Sequence, residues 1–168
     1  SAVQLGGYRA QGRTAAADRL GIAVPEGKDW ILISGNQLGA LLTDYIFRAN
    51  RESGRLPEKP AFVNTIVTSV FQNLIAESYG AASFRVLTGF KYIGEKIREF
   101  EEAGSYNYVF GGEESYGFLV GTSVRDKDAV SAASMTAEMA RSRSGRSSST
   151  ACSRRTCVAT RSCPRSAW

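Results

Sequence analysis

The spacing of apolar positions changes several times along the chain, and each change marks an element. Residues 20–24 (LGIAV) and 30–34 (WILIS) are short apolar runs separated by PEGKD, a turn composition, and they predict two strands. From Asn36 the period becomes helical. Leu38, Leu41, Leu42, Tyr45, Ile46 and Ala49 fall on one face, with Asn36 as the N-cap. The stretch RESGRLPEKP (51–60) combines glycine, proline and charge and predicts a boundary. Beyond it AFVNTIVTS, rich in β-branched residues, predicts a strand, followed by Phe71, Leu74 and Ile75 on a short helix that Gly80 closes. FRVLTG reads as a strand running into a turn, and Phe90, Ile93, Ile97 and Phe100 make one face of a helix ending near Gly104. YNYVF is a third strand leading into a glycine-rich loop, and a last helix spans 128–140 with Asp126 or Asp128 as cap. Strands and helices alternating at these lengths predict an α/β domain, a layered mixed sheet flanked by helices, over roughly 60–140.

Both ends depart from this pattern. Residues 1–16 show neither period and stay unassigned, while 141–168 hold seven Arg, eight Ser and no Leu or Ile, and are expected to be disordered. Such Arg, Ser, Ala, Thr and Cys runs are what GC-rich DNA gives when read out of frame, so both ends are expected to be non-native. Charge follows the same division. Residues 1–140 carry 14 of the 21 basic residues and all 16 acidic ones, a net of −2, and the tail alone carries +7. A nucleic-acid partner inferred from the net charge of +5 would therefore rest on the tail, which has no interleaved aromatics, and none is expected. Cys152, Cys157 and Cys163 also lie in the tail, leaving the body without a disulfide framework or zinc site. Absence of histidine excludes Ser/His/Asp and Cys/His catalysis, so any chemistry uses carboxylates, amines, hydroxyls and backbone groups. With no long apolar run and no signal-peptide pattern, a cytoplasmic location without membrane contact is expected.

The residues that could carry chemistry sit where the chain reverses. Thr88 and Gly89 end a strand and open a helix, where free amides and a hydroxyl suit an anion or a sugar hydroxyl, or form a plain cap. In GGEESYGF (111–118), Glu113 and Ser115 are one residue apart. In an extended, exposed loop both would point the same way, toward neighbouring hydroxyls; the other reading is a solvated acidic hairpin. Arg125 and Lys127 alternate with Asp126 and Asp128, so an extended segment would place both cations on one side to meet a phosphate, or the cluster would merely cap the next helix. Asp18 and Arg19 precede the first strand as a surface pair or as part of a larger loop.

Taken in order, ADRLGIAV (17–24), SGNQLGALLTDY (34–45), TGFKYIGEKI (88–97), GGEESYGF and VRDKDAV (124–130) resemble the loops of the α-D-phosphohexomutases, the phosphoglucomutase and phosphomannomutase superfamily. The resemblance covers roughly 17–140 and implies residues 17–56 as the end of a metal-binding domain and 57–140 as a sugar-recognition domain. It implies a fragment of an intramolecular phosphotransferase that interconverts hexose 1-phosphate and hexose 6-phosphate through a phosphoserine and a bisphosphate, with hexose bisphosphate as activator. Glu113 and Ser115 would read sugar hydroxyls, Thr88, Gly89 and Arg125 would line the substrate site, and Lys127 would be the general acid/base. Asp18 and Arg19 match the end of a three-carboxylate magnesium loop whose other carboxylate positions here are Thr14 and Ala16. One carboxylate does not replace three, which argues against Mg2+ binding by this chain. The family's Ser-His-Asn-Pro phosphoserine loop has no counterpart in a chain without histidine, so the chain alone is expected to be inactive, its missing domains being partners in the complete enzyme. A competing reading is a non-catalytic phosphosugar-binding or interaction module with a basic tail.

Overall fold

A computed structural model describes residues 4–7 and 17–144, with side chains from 17 to 142. Two sheets organise them. The first is antiparallel, in the order β1-β2-β3, from β1 (Gln4–Gly7), β2 (Leu20–Glu26) and β3 (Asp29–Ile33). β2 and β3 are the two strands expected from the sequence, joined through Gly27 at φ +64°, the first central position of a tight hairpin, where glycine meets no steric penalty. β1 was not expected, because its GlyGly ending lacks strand character of its own and its pairing comes from β2.

Helix α1 (Gly35–Glu52) follows, and then the elements of the second sheet: β4 (Pro60–Thr65), α2 (Val70–Ser78), β5 (Ala82–Val86), α3 (Phe90–Ala103), β6 (Asn107–Gly112), β7 (Phe118–Val120) and α4 (Ala129–Ser144). The strand order is β5-β4-β6-β7, with β4 parallel to both β5 and β6 and β7 antiparallel on the edge, so the sheet is mixed. β4 is buried along its whole length because helices cover both faces, which is why its sequence is not alternating in polarity. Ala61 and Val63 turn toward α3, joining Phe90, Ile93, Ile97, Phe100, Tyr108 and Leu119 in one core. Phe62 turns to the opposite face, where Phe110 and Phe118 meet Leu38, Leu42, Ile46 and Phe47 of α1, Ala76 of α2, and Ala132 and Met139 of α4. The result is the expected α/β arrangement of helices on both sides of a mixed sheet.

Three local differences have physical causes. The N-cap of α1 is Ser34, not Asn36. Ser34 and Gln37 form a capping box, and the Asn36 amide oxygen accepts from the Ser69 N–H at the start of α2 instead. Helix α2 buries Gln72 and Asn73 and leaves Phe71 and Leu74 exposed, the reverse of its apolar pattern. Polar partners decide this: Asn73 bonds Asn64 of β4 and Ser83 of β5, and Gln72 donates to the Asn36 carbonyl across Gly39, where a Cβ would lie 2.5 Å from the Gln72 amide nitrogen. α4 is capped by Asp128, whose carboxylate accepts from the Val130 N–H. It continues to Ser144, four residues into the segment expected to be disordered, since extending a formed helix costs far less than starting one. The disorder expected for the rest of the tail lies outside the described residues, as does the unassigned segment 1–16 apart from β1. Among the described residues no helix is long and apolar enough to cross a membrane.

Candidate sugar-phosphate site at the sheet's carboxyl edge

From β4 the chain crosses through α2 to β5 on one side, and from β5 it crosses through α3 back past β4 to β6 on the other. The carboxyl ends of β4 and β6, where the strand order reverses, are the usual ligand position of an open parallel sheet. The loop 113–117 leaves β6 at that point. It is a tight turn and not the extended segment expected, because the Glu113 N–H donates to the Gly117 carbonyl at 2.8 Å and Tyr116 takes φ +69°. Strand alternation therefore does not set the directions of Glu113 and Ser115. Nor is Glu113 exposed: it keeps only 6% of its surface, and among the described residues nothing donates a hydrogen bond to its carboxylate. Ser115 is half-buried.

Gly117 brings this carboxylate near Lys127. A Cβ at Gly117 would stand 2.4 Å from Lys127 Cδ and 3.4 Å from Glu113 Oε2, so both side chains crowd the space a larger residue would fill. The Lys127 side chain is 15% exposed, and its Nζ lies 3.0 Å from Asp126 Oδ1 and 5.1 Å from the centre of the Phe90 ring. Partial burial raises the Asp126 carboxyl, but the Lys127 N–H, the ammonium's hydrogen bond and its charge outweigh that and hold it below its ordinary value. Phe90 begins α3, so Lys127 also marks that helix's N-terminus. Gly89 is the N-cap, at φ +122° and with no side-chain cap, and Thr88 beside it is exposed. The first amides of α3 thus open beside Lys127, with the positive end of the helix dipole behind them.

Arg125 is not brought into this group. Its carbonyl rests on Gly94, in the second turn of α3, and its guanidinium runs toward the helix's far end to pair with Glu101 at 2.8 Å. The two cations expected on one side part along α3, because residues 121–126 run as successive bends and not as an extended segment, and Arg125 has a carboxylate of its own. The Arg125 end is an open groove of about 430 Å³ between Lys91, Arg98 and Glu101.

Residues 17–20 reach the turn from the other sheet. Arg19 Nη1 donates to the Ser115 carbonyl at 2.6 Å, the Leu20 N–H to the Tyr116 carbonyl at 3.1 Å, and the Ala129 N–H to the Ala17 carbonyl at 3.0 Å. Asp18 lies 4.0 Å from Arg19 and is partly exposed. This donor set does not fit a magnesium ion: Asp18 is a lone carboxylate facing a cation, Thr14 and Ala16 lie outside the described residues and offer no carboxylate, and no cluster of three metal-ligating side chains exists among the described residues.

Two supporting residues escaped the sequence. The Glu114 carboxylate accepts from the Thr65 and Thr68 hydroxyls at 3.4 and 3.3 Å, anchoring the turn to the end of β4, and the Glu114 carbonyl packs where Gly35 has no side chain. Both contacts join distant parts of the chain, so no local pattern could announce them.

Residues 34–156 match the family model for phosphoglucomutase/phosphomannomutase, alpha/beta/alpha domain III, a match that begins at the N-cap of α1. A phosphomannomutase of Mycoplasmoides pirum is 37% identical over 123 residues, covering 73% of this chain and 22% of the relative. A phosphoglucomutase of Staphylococcus epidermidis is 43% identical over 115 residues, covering 68% and 20%. This chain therefore spans about a fifth of the length of the curated relatives it matches. Among solved structures, parafusin (a phosphoglucomutase) from Paramecium in its open form superposes with a TM-score of 0.55 at 21% identity, covering 81% of this chain and 21% of that one. Aspergillus fumigatus N-acetylphosphoglucosamine mutase, solved with GlcNAc-6P and magnesium, gives 0.54 at 16% identity, covering 78% and 32%. Both share the fold.

Proposed function

Because the chain belongs to the phosphoglucomutase/phosphomannomutase family, we propose that the turn 113–117 reads the hydroxyls of a hexose phosphate and that the complete protein moves phosphate between the 1- and 6-positions. One observation carries this reading: Glu113 keeps only 6% of its surface and takes no side-chain hydrogen bond from the described residues, and since none of their unpartnered side-chain oxygens is shut off from solvent, its carboxylate opens outward at the strand-order reversal, where a ligand can meet it. In this reading Glu113 accepts from sugar hydroxyls and Ser115 adds a second hydroxyl contact. The amides after Gly89, with Thr88, face an anion or hydroxyl at the helix N-terminus. Lys127, set against Gly117 and Phe90, exchanges the proton of the sugar hydroxyl that gives or takes the phosphoryl group. Arg125 contributes only if substrate displaces Glu101. Phosphoryl transfer depends on placement and charge stabilisation, and these residues supply placement. The phosphoserine and bisphosphate belong to the complete protein, and no step is assigned to magnesium here.

The test is the affinity of the chain for glucose 1-phosphate, measured by NMR titration. A Kd near 1 mM, corresponding to about 4 kcal/mol, is expected from a partial site. Glu113→Gln with Ser115→Ala should weaken it at least about tenfold, since loss of hydrogen bonds to a charged group costs roughly 1.5–3 kcal/mol. Equal affinity in parent and variant would return the turn to a plain acidic hairpin.

A further inference from the structure

Tyr116 is one of two non-glycine residues at positive φ among the described residues, at +69°, and it lies in the middle of the proposed sugar-reading turn. A bulky side chain disfavours that conformation, so the surrounding structure must impose it. The two carbonyls that bracket Tyr116 show what does so. The Ser115 carbonyl accepts from the Arg19 guanidinium at 2.6 Å, and the Tyr116 carbonyl accepts from the Leu20 N–H at 3.1 Å. Arg19, just before β2, and Leu20, its first residue, thus fix both peptide planes around the strained residue of the other sheet's loop.

We propose that Arg19 is a positioning residue: its hydrogen bond to the Ser115 carbonyl holds Tyr116 in the left-handed conformation and thereby sets where Glu113 and Ser115 stand. The functional meaning rests on the sugar-reading role of the turn, but the mechanical claim does not. Arginine suits the task because it is charged throughout the accessible pH range and donates strongly to a neutral carbonyl. Its one ion-pair partner among the described residues, Asp18, is 4.0 Å from Nε, so Nη1 remains committed to the loop. The Leu20 N–H and the packing of the Tyr116 ring on the core hold the far side of Tyr116, and this bond holds the near side. Glu114 and Gly35 hold the first half of the turn, and Gly117 closes it onto Glu113, but the Ser115–Tyr116 peptide has no other side-chain partner among the described residues.

Amide hydrogen exchange on the full chain tests the mechanical claim. The Glu113 N–H, bonded to Gly117, reports closure of the turn, while Val63 and Ile97 report the core between β4 and α3. In Arg19→Gln the Glu113 amide should exchange roughly tenfold faster, with Val63 and Ile97 unchanged, as local opening requires. Arg19→Lys, which keeps a cationic donor, should stay near the parent. Adding Tyr116→Asn to Arg19→Gln should recover much of the protection, because asparagine tolerates positive φ. Unchanged Glu113 exchange in Arg19→Gln, or equal acceleration at Val63 and Ile97, would overturn the proposal. Titration of the same variants with glucose 1-phosphate separates it from the functional reading: faster exchange in Arg19→Gln with no sugar binding by the parent would retain the positioning role and remove the sugar.

Discussion

At Gly35 an added Cβ would stand 1.8 Å from the Glu114 carbonyl oxygen, a backbone atom, whereas at Gly117 it would meet the flexible stem of Lys127. The two clashes should have different consequences. Gly35→Ala must move the turn or the start of α1 and should cost about 1–3 kcal/mol, read from the urea midpoint, as overpacking does. Gly117→Ala should shift Lys127 and weaken ligand affinity with a smaller loss of stability. A Gly35→Ala midpoint equal to the parent's would show that the close approach is relieved without strain. Tyr79 gives a pH test at the same scale. Burial first, and then its hydrogen bond to Asp44 at 2.7 Å, push its hydroxyl from the ordinary 10.0 up to about 12. A raised folded-state value means that the stabilisation is complete below pH 10 and is lost as pH rises to about 12. The advantage of the parent over Tyr79→Phe, about 1 kcal/mol near neutral pH, should therefore shrink across that interval. A pH-independent difference would contradict the assignment.

Among the elements, α2 departs furthest from its sequence pattern, and it shows what such patterns contain. A period of apolar residues identifies a helix, but which face is buried depends on what the neighbouring elements offer, and here Asn64, Ser83 and the Asn36 carbonyl draw the polar face inward. Phe71→Ser and Leu74→Ser should therefore change stability by only about 0.5 kcal/mol or less. Asn73→Ala, which leaves Asn64 without its partner in the core, should cost about 1–3 kcal/mol in thermal or urea unfolding. A large effect at Phe71 or Leu74 with none at Asn73 would reverse the orientation given for α2. By contrast α3 was legible almost to the residue. Phe90, Ile93, Ile97 and Phe100 form its buried face, and Gly104 ends it at φ +57°, because a single sheet covers one side and water the other. The three parallel strands were also legible from β-branched and aromatic composition. β7 was not: its three residues, Phe118–Val120, owe their strand conformation to pairing with β6.

Across the whole molecule, the site joins four separated segments, and this explains which parts of it could be read in advance. The glycine-bounded loops announced themselves as chain reversals, and the helix N-terminus at Gly89 was placed by the period change before it. The pairing of Arg125 could not be read in advance because its partner, Glu101, lies on another element, and Glu113 was expected in solvent because Gly117 and Lys127 crowd its side chain only in the folded chain. The charge distribution sets the main competing outcome for any anionic ligand, since seven arginines lie in residues 141–168. The most direct test of sugar-phosphate recognition is a map of backbone amide shifts during titration of the full chain with glucose 1-phosphate. Saturable shifts centred on Gly89, Phe90, Glu113, Ser115 and Lys127, with the Arg125 to Glu101 end of α3 little affected, are the predicted result. Shifts confined to the arginine-rich segment, or none at the carboxyl edge of the sheet, would contradict it.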